Sequence, residues 1–161
     1  MSETLFYKRA TFVAHLPVRH RYTASHTWLS EDPAAPGCWR VGLTRFALRM
    51  LGELVEVRYE LSPGAPVALG EIVGNIEGFK ALSDLYCVVD GTFEGPNPAL
   101  GEGLEPITRD VHRTWLYQVR GSPDPKTLDV HAYAGVLSVT IDRILEKQAA
   151  DPAPDTDVPS P

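Results

Sequence analysis

Residues 70–91 read GEIVGNIEGFKALSDLYCVVDG and place two β-prone segments on either side of an apex of small and polar residues. The β-prone residues are Ile72, Ile76, Leu85, Val88 and Val89. This pattern predicts a β-hairpin whose far ends enter the core of a sheet. Lys80 lies at the apex, with Glu77 and Asp84 on the two arms as the nearest acidic residues. Because an ammonium group is costly to bury without a partner, we predict that Lys80 is presented to solvent.

The segments that precede this hairpin predict short strands and one short helix. Residues 22–29 and 39–43 are β-prone and flank a turn rich in proline and glycine, which is typical of a hairpin. Thr44 can cap a helix over residues 44–51, and Gly52 would end it.

The remaining periodic segments predict a mostly β chain with helices near its edges and its C-terminal end. Apolar residues alternate at positions 55, 57 and 59, so residues 53–59 are predicted to form a half-buried strand. Residues 114–119, which include Trp115 and Tyr117, predict another short strand. Apolar residues at helical spacing between positions 128 and 145 predict one or two C-terminal helices that pack on the sheets.

The pattern divides the chain into three parts. Residues 1–20 form an N-terminal extension whose apolar residues could make an extra edge strand. Residues 21–148 form the main domain. Residues 149–161 contain four prolines and three aspartates and few residues to bury, so we predict that they are disordered.

The composition indicates one acidic domain. The 161 residues are 43% hydrophobic, which is enough for a single core, and the formal net charge is −6. That charge argues against nucleic acid or an anionic membrane as the main partner. Lys8 and Arg9 interrupt the apolar residues near the N-terminus and leave no signal-peptide core, so we expect a cytoplasmic protein.

No catalytic or metal-binding motif is recognisable in the sequence. The five histidines do not share metal-ligand spacing, and neither GxSxG nor HExxH occurs. Cys38 and Cys87 are too far apart in sequence for a zinc or dithiol motif. These motifs therefore give no indication of catalytic chemistry.

Several motifs, taken together, resemble the glycine cleavage system H protein family. Residues 77–84, EGFKALSD, are similar to the family's lipoyl-lysine hairpin, Glu-Ser-Val-Lys-Ala-x-Ser-Asp. Residues 22–28 resemble its Tyr-x-x-x-His-Glu-Trp motif, and residues 41–55 resemble its Val-Gly-Ile-Thr…Ala…Leu-Gly-Asp-Ile-Val run. With Asn97–Leu100, these motifs follow the family order over roughly residues 20–120, which makes the combination specific.

The resemblance implies a fold and a function. The fold would be the barrel-sandwich hybrid of lipoyl and biotinyl carriers, and lipoate would be attached to Lys80 by a lipoate ligase or lipoyl transferase. Glu77, Gly78, Phe79 and Asp84 would be the hairpin residues that this enzyme recognises. The carrier would shuttle an aminomethyl group between glycine decarboxylase, aminomethyltransferase and dihydrolipoyl dehydrogenase, without catalysing a step.

The sequence departs from the family pattern on surfaces that partners would touch. Thr27 stands where the family has glutamate, Phe79 follows Gly78 where the family has Ser-Val, and Cys87 begins a replacement of Ser-Pro. Residues 108–115 replace a Pro-Tyr-Gly-x-Gly-Trp segment. The carrier role is therefore better supported than the pathway.

Two alternatives remain open. One is an H-like lipoate-binding protein that carries sulfur intermediates for a heterodisulfide-reductase-like sulfur oxidation complex, with which Phe79 and Cys87 would be compatible. The other is an unmodified structural domain that binds partners. Biotin is disfavoured, because biotin carriers usually have Met-Lys-Met where this chain has Phe79-Lys80-Ala81.

Overall fold

The computed structural model describes residues 3–150, which form eleven β-strands and three α-helices. A 3-10 turn at Pro98–Leu100 lies between the tenth strand and the second helix. The strands are β1 (Thr4–Arg9), β2 (Phe12–Pro17), β3 (Arg21–Tyr22), β4 (Thr27–Glu31), β5 (Cys38–Leu43), β6 (Leu54–Tyr59), β7 (Pro66–Val67), β8 (Ile72–Gly78), β9 (Leu82–Tyr86), β10 (Val89–Pro96) and β11 (Tyr117–Pro123). The helices are α1 (Arg45–Leu51), α2 (Glu105–Arg109) and α3 (Val130–Ala150).

Two sheets enclose the main hydrophobic core. The larger sheet has the strand order β3-β4-β5-β11-β10-β7, and the smaller has the order β6-β8-β9. Buried side chains from both sheets, including Val41, Phe93, Ile76 and Leu85, belong to one cluster. The arrangement confirms the predicted mostly β, sandwich-like fold, with a short helix near residues 44–51 and a C-terminal helical segment.

Helix α1 begins and ends where its sequence signals predict. The Thr44 hydroxyl accepts a hydrogen bond from the Ala47 N–H at 3.3 Å, which satisfies one free donor of the first turn. Gly52 has φ of 77°, a conformation that favours glycine, and its N–H donates to the Leu48 carbonyl. Local capping therefore determines the length of this helix.

Two predicted strands are irregular in the structure. The segment 22–29 is divided into β3 and β4, because a turn at Thr23–His26 interrupts it and the His26 N–H donates to the Thr23 carbonyl. In β6, a register shift between Leu54 and Glu56 turns Val55 outward, so that it is 46% exposed. The prediction that positions 55, 57 and 59 share a buried face was therefore wrong for Val55.

The N-terminal extension forms its own two-stranded sheet rather than an extra edge strand. Strands β1 and β2 pair with each other, and neither joins a larger sheet. Alternate residues of β2 are buried in a second core, which also contains residues of α3 and Phe46 of α1. The extension thus packs on α3 through side chains, which periodicity within the extension could not reveal.

The C-terminal half contains one long helix. The strand predicted at 114–119 begins only at Tyr117, and the C-terminal apolar positions form the single helix α3, whose buried residues are Val130, Tyr133, Leu137 and Ile141. Ala149 and Ala150 belong to this helix, whereas the rest of the predicted disordered tail lies outside the described residues. Within residues 3–150, no helix is both long and apolar enough to cross a membrane.

Candidate functional site

Lys80 occupies the tip of the hairpin formed by β8 and β9. These strands pair antiparallel up to Glu77 and Leu82, and the Gly78 N–H then donates to the Ala81 carbonyl at 2.9 Å. Phe79, Lys80 and Ala81 connect the two strands, and all three are exposed. The structure thus places the lysine where the sequence pattern predicts it.

The loop rests on the end of helix α1. The Phe79 N–H donates to the Glu53 carbonyl, and the Lys80 N–H donates to the Leu51 carbonyl, both at 2.9 Å. These two bonds satisfy the N–H groups of Phe79 and Lys80, and they hold the loop backbone against the end of α1. The base of the Lys80 side chain is therefore positioned by α1 as well as by the hairpin.

The Lys80 side chain lies along the C-terminal turn of α1. Its Nζ donates to the Arg49 carbonyl oxygen at 3.1 Å. Carbonyl groups at a helix C-terminus lack partners within the helix and attract positive charge. The free amine thus has a polar partner at the surface, and none of the ion pairs in the described part of the chain includes it.

Glu77 and Asp84 lie on the outer face of the hairpin. Asp84 is opposite Asn75, and Glu77 is opposite Leu82, so the two acids occupy diagonal positions on one face. Both are exposed. Their carboxylates are therefore open to solvent, and among residues 3–150 neither forms an ion pair with Lys80.

Exposed apolar side chains surround the lysine. Phe79 is 74% exposed and Leu82 is 67% exposed, although both are large and apolar. Gly78, by contrast, is buried against the backbone of Leu51. The loop thus presents Phe79 together with Lys80, while Gly78 permits the close packing on α1.

A groove of about 220 Å³ lies between the hairpin, α1 and the start of β4. We call this the hairpin groove; among the side chains that line it are Ser25, Thr27, Met50, Asp84 and Tyr86. Thr27 and Asp84, which are far apart in sequence, both line this groove. Asp84 is the one acid among these five residues, and the Thr27 hydroxyl is hydrogen-bonded to Thr23 at 2.7 Å.

Cys87 is not exposed to the hairpin surface. It is buried, and its Sγ donates to the Val89 carbonyl at 2.8 Å. Burial raises the pKa of this thiol to about 11, so it remains protonated near neutral pH. Because the thiolate is the nucleophile, the structure gives Cys87 no role in transferring a carried sulfur group.

His26, which is half-buried, and His112, which is buried, have structural partners. His26 Nδ1 lies 2.8 Å from the Tyr133 hydroxyl, which donates to Thr44. His112 Nε2 accepts a hydrogen bond from the Arg45 N–H at 3.1 Å, and burial lowers the pKa of both imidazoles to about 4. They are therefore neutral at physiological pH, and they join elements of the second core.

The fold and the hairpin define a class of protein: a small β-rich chain that presents one lysine at the tip of a supported hairpin. The profile of the family described as "Glycine cleavage H-protein" matches residues 20–134. The chain belongs to the glycine cleavage H-protein family. Membership in this family supports a carrier role rather than catalysis, and it confirms the resemblance found in the sequence motifs.

Individual relatives agree with this assignment. The chain is 35% identical over 124 residues to the glycine cleavage system H protein of Beutenbergia cavernae, covering 76% of this chain and 97% of that protein. It is 34% identical to that of Acidobacterium capsulatum, covering 73% and 90% respectively. A crystal structure of the H protein from Mycobacterium marinum matches with a TM-score of 0.65 and 33% identity, covering 74% of this chain and 97% of that one.

Sequence reasoning missed the supporting residues of the site. The contacts of the loop with Leu51 and Glu53, and of Lys80 with Arg49, use backbone carbonyls, which carry no side-chain signal. Met50 and Tyr86 of the hairpin groove also gave no motif. Only the folded structure shows that Met50 of α1 and Tyr86 of β9 line the same groove.

Proposed function

We propose that the chain is a lipoylated carrier, with lipoate attached to Lys80 by a lipoate ligase or lipoyl transferase. The observation that supports this proposal is the exposed amine of Lys80 at the tip of a hairpin in a chain of the H-protein family. The residues present fit the group, because acylation needs an accessible amine and space in front of it. Lipoate would supply a mobile disulfide, while the hairpin and α1 hold its anchor.

In this proposal the carrier moves an aminomethyl group between glycine decarboxylase, aminomethyltransferase and dihydrolipoyl dehydrogenase. Its own residues would orient the arm and exclude water from the carried group. The hairpin groove is adjacent to the loop and offers Asp84 to a protonated amine, with Met50 and Tyr86 as apolar cover. Glu77, Gly78, Phe79 and Asp84 would present Lys80 to the attaching enzyme.

Intact mass spectrometry tests the attachment. Protein produced in a host that makes lipoate should carry one lipoyl group, and Lys80→Arg should remove that mass increment while leaving the fold intact. Lys126→Arg, another exposed lysine, is the matched control and should keep the increment. A native protein of unmodified mass would favour the structural, partner-binding alternative and contradict the carrier proposal.

A second candidate is the carrier of sulfur intermediates for a heterodisulfide-reductase-like complex. The observation that favours it is Thr27, which replaces the family's glutamate in the hairpin groove and has its hydroxyl engaged with Thr23. Loss of one acid makes the groove less suited to an amine. Glycine–bicarbonate exchange with the cognate decarboxylase separates the candidates: exchange supports the first, and its absence with fully lipoylated protein supports the second.

A further inference from the structure

A larger groove lies on the opposite face of α1 from the hairpin groove. We call it the basic groove; it has a volume of about 1110 Å³ and is bordered by the β1–β2 hairpin, α1, Lys80 and α2. The positions of α1 that line it are Arg45, Leu48 and Arg49, whereas Ala47 and Met50 face the hairpin groove. Lys80 lines the basic groove, so an occupant of this groove would lie beside the proposed arm.

The basic groove carries an excess of positive charge. Arg45, Arg49 and Arg109 line it, whereas its acidic residues are Glu53 and Glu105. The arginines therefore leave a positive excess even when acylation removes the charge of Lys80. Among residues 3–150, no ion pair within 4 Å includes any of these three arginines. In a chain of net charge −6, this local excess of positive charge is complementary to an acidic occupant.

The three arginines differ in what holds them. Arg49 donates to the Thr11 side chain at 3.0 Å, and its guanidinium lies 5.9 Å from the Phe12 ring centre, so it has a structural role. The guanidinium groups of Arg45 and Arg109 make no hydrogen bond to a residue in the described part of the chain. These two side chains are therefore free to bind an external group.

Two walls of the basic groove lie where the chain departs from the family pattern. Thr11–Val13 precede residue 20, where the family match begins, and Thr108–Arg109 lie in the segment that departs from the family's Pro-Tyr-Gly pattern. The groove is thus built partly from an addition and partly from a replaced segment. Because the groove lies next to Lys80, both departures from the family pattern fall on the surface that a partner of the proposed carrier would contact.

The shape of the groove favours a peptide segment over a small anion. Arg45 and Arg109 are exposed, so they cannot enclose a phosphate-sized group. Leu48, Leu54 and Leu104 provide apolar surface along the same groove. We propose that the basic groove docks an acidic, apolar-containing segment of a partner protein and thereby places that partner beside Lys80. This inference rests on the proposed function, because such a partner is one that acts on the arm.

A peptide-binding experiment with the lipoylated protein tests the docking. The probe is a short fluorescein-labelled peptide of alternating glutamate and leucine, measured by fluorescence anisotropy. The wild type should bind it, and Arg45→Gln with Arg109→Gln should weaken binding by about 5-fold or more, because two exposed charges are removed. Arg143→Gln, an exposed arginine of α3 outside the groove, should leave the affinity unchanged. Added salt should weaken wild-type binding.

Four results would overturn the docking proposal. The first is that the wild type and the double variant bind the glutamate–leucine peptide with equal affinity, and the second is that a lysine–leucine peptide binds the wild type equally well. The third is that inorganic phosphate displaces the probe at a concentration similar to that of the peptide. The fourth is that the probe binds more tightly after residues 151–161 are removed. The third would indicate a small-anion site, and the fourth would indicate that this chain's own acidic segment competes for the groove. Intact mass reports lipoylation separately, so a failure of the carrier function would be distinguished from a failure of docking.

Discussion

Gly78 determines how closely the lysine hairpin approaches helix α1. A Cβ at this position would overlap the Leu51 carbonyl oxygen and lie 2.8 Å from its carbonyl carbon. The family motif usually has serine here, which would not fit this spacing. Glycine at position 78 therefore permits the close approach at which the Lys80 N–H donates to the same carbonyl.

The substitution Gly78→Ala should lower the free energy of unfolding by about 1–3 kcal/mol, because the added methyl group forces the hairpin tip and α1 apart. Gly135→Ala is the matched control, since nothing lies within 4 Å of its Cβ position in α3. The control should raise stability by roughly 0.5–1 kcal/mol through helix propensity. Urea unfolding followed by circular dichroism measures both; equal effects would show that the packing argument is incorrect.

The sequence predicted the position of Lys80 but not its surroundings. Exposure of Lys80 followed from its charge and from the two β-prone arms. Its acceptor, the Arg49 carbonyl, is 31 residues away in sequence. Because any residue provides such a carbonyl, only the folded chain identifies this contact.

At the scale of elements, the β1–β2 hairpin and the C-terminal part of α3 depend on each other. Arg9 forms a two-bond ion pair with Asp142, and the Tyr7 hydroxyl lies 3.0 Å from Ser138. Beneath these polar contacts, Leu16 and Leu137 are fully buried in the second core. Both regions lie outside the family match at residues 20–134, and the core that joins them also includes Tyr22 and Phe46 from within the match.

Truncation of Leu137 should test this shared core. Leu137→Ala should lower the free energy of unfolding by about 2–5 kcal/mol, because it leaves a cavity between α3 and the β1–β2 hairpin. Val139→Ala on the same helix is the control: this side chain is 51% exposed, and its removal should change stability by less than about 0.5 kcal/mol. Chemical denaturation gives both values, and a small effect of Leu137→Ala would argue against a packed interface.

Elements with strong local signals were predictable, and those set by distant contacts were not. Thr44 and Gly52 determine the two ends of α1 through their own capping properties. The outward turn of Val55 depends on a bulge in its pairing with β8, and the separate β1–β2 sheet depends on α3. Periodicity within one segment contains neither piece of information.

At the scale of the whole molecule, the buried neutral His112 connects stability to pH. His112 is 7% exposed and lies between the β1–β2 hairpin, α1 and the loop after α2. Its pKa falls from 6.5 to about 4 on burial, so the unfolded chain binds a proton that the folded chain rejects. The stability that follows from a neutral His112 is complete above about pH 6.5 and is lost as the pH falls toward 4.

Replacement of His112 should reduce this dependence. In the wild type, protonation of His112 in the unfolded state should lower the free energy of unfolding by up to about 3 kcal/mol between neutral pH and pH 4. His112→Gln keeps an acceptor for the Arg45 N–H but does not titrate, so its free energy of unfolding should fall less steeply. Urea midpoints across this pH range provide the measurement, and parallel curves for both proteins would contradict the assignment to His112.

The contact between Lys80 and the last turn of α1 also bears on maturation. An unmodified amine brings a full positive charge to the Arg49 carbonyl at the helix end. An amide at the same nitrogen has no charge and a single N–H, so most of that attraction disappears when an acyl group is added. Attachment of a prosthetic group would therefore both lengthen the side chain and release it from the protein surface.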